Sequence, residues 1–78
     1  MTQFITQRFR TALRFASASI GQLAKESGYA HVTFDKYLNE RPPTKPAALA
    51  LAKALELRAA KLMEHASRLR EAVGDQSN

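Results

Sequence analysis

Residues 19–39 read SIGQLAKESGYAHVTFDKYLN, and the folding of this stretch decides how the rest of the chain is read. Ser19 followed by Gln22 has the form of a capping box, in which the hydroxyl and the amide satisfy N–H groups left open at a helix start. Leu23, Ala24 and Ser27 continue that helix. Gly28 ends it, because glycine enters the left-handed conformation without steric cost. Beyond the turn, Tyr29, Phe34 and Leu38 lie on one stripe of a second helix, the side expected to be buried. Ala24 is small where two helices would cross closely. His31, Val32, Asp35, Lys36 and Asn39 are left facing outward, so the stretch is expected to form a helix-turn-helix.

On the N-terminal side, residues 3–17 read as a leading helix. Ile5, Phe9, Leu13 and Ala16 fall on one apolar face, with Ala12 beside them. Arg10 and Arg14 stand one turn apart on another side. Phe15 lies off the main stripe, with a contact to the second helix of the motif as its expected use. Downstream, Glu40–Lys45 (ERPPTK) is a loop, since Pro42 and Pro43 remove backbone donors and restrict the residues before them. Thr44 is the expected N-cap of the next helix, with Pro46 tolerated in its first turn.

From Pro46 to Val73 no breaker interrupts a run of alanine, leucine, lysine, arginine and glutamate, which predicts one long helix. Ala52, Leu55, Ala59, Leu62, Ala66, Leu69 and Val73 alternate spacings of three and four along it. This seam puts small residues at one heptad position and mostly leucine at the other. Its upstream part, Leu49, Ala52 and Leu55, is expected to pack on the helix-turn-helix. Its downstream part, Ala59, Leu62, Ala66, Leu69 and Val73, is expected to be a dimer interface. Folding back onto the leading helix is the intramolecular alternative.

Ala24, then Gly28, then GYAHVTFDKYLN resembles the helix-turn-helix of the lambda repressor/Cro (XRE-type) superfamily. The second helix is most similar to the lactose-repressor type, through Thr33, Phe34, Leu38 and Asn39. Pro43 to Leu55, ending in LAKAL, is similar to the fourth helix of such domains. The resemblance covers residues 19–57. It implies an all-α domain of four or five helices whose second motif helix enters the major groove of double-stranded DNA. His31, Val32, Asp35 and Lys36 are then the expected base readers. Gln22, Thr33, Asn39, Arg41 and Lys45 are the expected phosphate contacts.

Composition agrees with that class. Residues 1–45 carry seven Lys/Arg and three Asp/Glu, a balance of +4, whereas residues 46–78 carry five and four, a balance of +1. Basic charge alone equally describes a soluble surface; its coincidence with the motif points to phosphate. The chain has no cysteine, which excludes thiolate metal sites and disulfides. His31 and His65 stand in no metal-binding spacing, and there is no glycine-rich phosphate loop, so neither an enzyme nor a cofactor is expected. No apolar run approaches the ~20 residues of a membrane span, and the N-terminus has no secretory pattern, so a cytoplasmic protein is expected.

The expected organisation is a DNA-binding domain over 1–57, a dimerising helical extension over 58–73 and a disordered tail over 74–78. The expected function is a dimeric transcriptional repressor on a palindromic operator, of the small phage or plasmid style. The alternatives are an accessory DNA-binding factor in partition or recombination and a helical protein-interaction module.

Overall fold

The computed structural model describes residues 2–16 and 18–76, with side chains placed for residues 4–16 and 18–74. It is all-helical, with α1 over Thr2–Phe15, α2 over Ile20–Ser27, α3 over His31–Asn39 and α4 over Lys45–Gln76. Among the described residues no helix is long and apolar enough to cross a membrane.

Each boundary has a local cause. Ser19 has extended backbone and its Oγ accepts from the Gln22 N–H at 3.2 Å, opening α2. Gly28 closes α2 at φ 82°, the one positive φ among the described residues. The Tyr29 N–H then donates to the Ala24 carbonyl at 2.8 Å and the Gly28 N–H to that of Lys25 at 3.1 Å, a Schellman closure. Ala30 opens α3 in extended backbone without a side-chain cap. Thr44 caps α4 as expected, its Oγ1 accepting from the Ala47 N–H at 3.2 Å.

The core is built where the four helices meet. Phe9 and Leu13 of α1, Leu23 and Ala24 of α2, Phe34 and Tyr37 of α3, and Ala47 and Leu51 of α4 form one buried cluster. Phe34 and Leu23 are its largest fully enclosed side chains. The Phe34 ring meets Phe9 edge-on at 5.3 Å between centroids and lies 5.5 Å from Tyr29. Tyr37 meets Phe9 edge-on at 5.8 Å. Ala24 sits fully buried where α2 crosses its neighbours, as its size suggested.

Three expectations need correcting. Phe15 does not reach α3: it is 83% exposed, because the buried stripe of α1 runs through Phe9 and Leu13 on another side. Leu49 is 71% exposed and Ala52 is exposed too, so the seam is not the face that packs on the core. That role falls to Ala47, Leu51 and Ala54, with Arg58 next on the same stripe, while Leu55 is half-buried at its edge. Finally, α4 does not stop at Val73. It continues through Gly74 to Gln76, since glycine weakens a helix without ending it unless the backbone turns left-handed. The rest of the expected tail, residues 77–78, lies outside the described residues.

Beyond Arg58 the helix leaves the body of the molecule. Every residue from 59 to 74 is exposed, and the overall extents are 56 × 24 × 18 Å.

Candidate nucleic-acid interface

α3 has two unlike sides. Its inner side, Phe34 and Tyr37, is clamped by α1 and α2. Its outer side presents His31, Val32 and Asp35, all exposed, with Lys36 half-buried beside them. Val32 is 60% exposed, a large apolar side chain left at a helix start with no core contact. The four expected base readers therefore occupy one continuous surface, the first two turns of α3.

This surface is held in place from several directions. The His31 ring lies over Gly21, where a β-carbon would stand 3.7 Å from the ring Cγ. The opening turns of α2 and α3 thus lie side by side, and Gln22, in that first turn of α2, sits at the same end as His31. At the other end of α3, the Arg10 guanidinium donates through Nε to the Tyr37 carbonyl at 2.9 Å. Tyr37 belongs to the last turn, whose carbonyls lack helical partners, so the cation both satisfies one and complements the helix dipole. Arg10 is consequently engaged inside the domain rather than extended from it.

Asn39 is turned along its own helix. Its Nδ2 donates to the Asp35 carbonyl at 3.1 Å and to the Asp35 carboxylate at 3.3 Å. That carboxylate is thereby oriented by Asn39. Arg41 and Lys45 are exposed at the two ends of the connection between α3 and α4. Pro43 between them is buried, anchoring the connection. The N–H groups of Glu40 and Arg41 both donate to the Lys36 carbonyl, at 2.7 and 3.0 Å, which fixes where Arg41 departs. Thr33 is half-buried in the first turn of α3, its N–H donating to the Ala30 carbonyl at 3.1 Å.

The structure thus gathers His31, Val32, Asp35 and Lys36 on one patch, with Gln22 at one end and Asn39 and Arg41 at the other. Ala59, Leu62, Ala66, Leu69 and Val73 stand apart on the projecting part of α4, all exposed. Two supporting features were not expected from the sequence. One is the Arg10 cap on α3. The other is a bidentate ion pair that ties α2 to α4, with Arg58 Nε 2.6 Å from Glu26 Oε1 and Nη2 2.7 Å from Oε2. Neither leaves a local signal, because the partners lie 27 and 32 residues apart. Tyr37 in the core did leave one, standing three residues after Phe34 at helical spacing.

Among the described residues no group of three or more His, Cys, Asp or Glu side chains could hold a metal ion. Compared with models of protein families, with curated proteins and with solved structures, the chain matches none of them.

Proposed function

We propose that this chain binds double-stranded DNA through the outer face of α3 and acts as a transcriptional repressor of the lambda repressor/Cro type, working as a dimer. The observation that carries the reading is the bare first half of α3. A helix whose inner face is locked by aromatic packing offers polar and apolar groups together at its start, as insertion into a major groove requires. His31 supplies a donor or acceptor for a purine edge, and Val32 an apolar contact for a thymine methyl. Asp35, oriented by Asn39, suits a cytosine amino group, and Lys36 suits guanine O6 or N7.

Arg41 and Lys45 flank that helix end and supply cations for phosphates, as the N-terminal turn of α2 at Gln22 supplies N–H groups. Asn39 serves this surface through Asp35, which its Nδ2 holds in place. Repression would follow from occupancy: a bound dimer over a promoter excludes polymerase. The same surface serves an accessory factor in partition or recombination equally well, and the sites selected would separate the two.

Selection of bound sites from a random duplex pool is the direct test. An enriched motif is expected, and His31→Ala and Lys36→Ala should each cost roughly 1–3 kcal/mol on it while relaxing preference at one position. Arg41→Ala should instead weaken all sequences about equally and lower the salt slope by about one. A pool that yields no enriched sequence, or both α3 variants keeping the parental preference, would remove α3 as the reading element.

A further inference from the structure

The far half of α4 is exposed along its whole described length. Leu62, Met63, Leu69 and Val73 are 61–72% exposed there, in a row with exposed Ala59 and Ala66. The row continues into an open groove of about 290 Å³ between α1 and α4, lined among others by Phe4, Ile5, Ala12, Ala52 and Leu55. A continuous apolar strip of this length is unusual on the surface of a monomer.

We infer that a second copy of this chain covers the strip as an antiparallel α4–α4 pair, in the one register that sets Glu56 opposite Arg70 of the second copy. Leu55, Leu62 and Leu69 repeat every seven residues, as do Ala59, Ala66 and Val73, so two such helices mesh at these positions. In this antiparallel register Ala59 meets Leu69 of the second copy, and Leu62 meets Ala66. Small faces large in all four central layers. At each end Val73 of the second copy comes down on Leu55, at the mouth of the α1–α4 groove.

The flanks select this arrangement. On the side away from the domain, Glu56 faces Arg70 twice by symmetry, and Met63 faces Met63 at the centre. On the domain side, Ala72 of the second copy falls beside Arg58, where a small residue leaves the Glu26–Arg58 pair room. A parallel pair stacks alanine on alanine and leucine on leucine. It also forms no Glu–Arg contact. Sliding the antiparallel pair by one heptad toward the domain places Glu56 against Met63 and loses both ion pairs.

The register has a geometric consequence, which rests on the proposed function. The domain sits on α4 at Ala47, Leu51, Ala54 and Arg58, on average about 11.5 residues from a dyad near Glu64. At 1.5 Å per residue the two domain footprints lie about 35 Å apart along the pair, near the ~34 Å between half-sites one DNA turn apart.

The chain lacks cysteine, so single cysteines on exposed positions of α4 report the register by disulfide formation, without any DNA. Met63→Cys should cross-link to itself. Glu56→Cys and Arg70→Cys should cross-link when mixed and not alone, and Ala59→Cys should stay uncoupled. Self-coupling of Ala59→Cys would mean a parallel pair and would overturn the inference. So would a full-length chain that sediments as a monomer at tens of micromolar, which would leave the strip to some other protein. As a second measurement, Glu56→Arg and Arg70→Glu should each weaken self-association roughly tenfold, and combining them should restore it. Failure to restore would also reject the register. Duplex binding can survive any of these failures, so the two readings fall separately.

Discussion

The two halves of α4 are built from the same residues and meet opposite fates. From Lys45 to Arg58 the helix buries Ala47, Leu51 and Ala54 against α1 and α2; from Ala59 to Gly74 every residue is exposed. Both halves are rich in alanine and leucine, and both are helical without a break. Helix propensity and periodicity therefore account for the helix, while burial is decided by what the remaining chain can bring alongside it. Here α1 and α2 reach only as far as Arg58, where the Glu26 ion pair marks the edge of the domain. The first half is held by its own chain, and the second stands uncovered.

Substitutions can break that contrast, beginning with the domain core. Phe34→Ala should cost about 3–5 kcal/mol, because the ring is fully buried among Phe9, Tyr29 and Tyr37. In α4 itself, Leu51→Ala should cost about 2–5 kcal/mol. Leu62→Ala in a dilute, monomeric sample should stay within about 0.5 kcal/mol of the parent. Urea unfolding below the association range compares the two leucines directly. Equal losses at Leu51 and Leu62 would mean that the projecting half packs on its own domain after all.

Next comes association. Leu62→Lys with Leu69→Lys removes four leucines from each dimer, each worth roughly 1.5–3 kcal/mol if buried. Self-association should therefore weaken by about two orders of magnitude or more in sedimentation, while the unfolding midpoint of the dilute chain stays in place. The smallest effect is expected at the boundary between the halves. Glu26→Ala opens the bidentate pair with Arg58, but both side chains keep about a third of their surface exposed, 36% and 27%. The cost should be about 1 kcal/mol or less and should shrink in high salt.

Much of this contrast was legible in the sequence. Ser19, Gly28, Thr44 and the Pro42–Pro43 pair are punctuation with short-range causes, and each boundary they imply is where the helices begin or end. The uninterrupted run after Pro46 announced a long helix for the same reason. What the sequence could not give was the rotational phase of α4 against the core. Alanine and leucine recur on nearly every face of LALAKALELRAA, so the 52–55 seam and the 47–51–54 stripe were equally apolar to a reader of spacing. Only the positions of α1 and α2 choose between them. Phe15 misled in the same way, as an aromatic residue without a neighbour. On α3 the outward set was readable because Phe34 and Leu38, one turn apart, mark the inner side and leave the other for charge. The Asn39–Asp35 bond and the Arg10 cap depend on rotamers and on chain separation, which spacing does not encode.

We propose that the well-held half of the molecule carries a phosphate-facing surface around α3. Duplex affinity of the chain, measured as salt is raised, decides this. Arg41 and Lys45 should each release about one counterion per copy, giving a log–log slope of roughly −2 per copy and about twice that for a dimer on a palindrome. A chain that fails to bind duplex DNA even at low salt, or whose binding ignores salt, would rule that surface out.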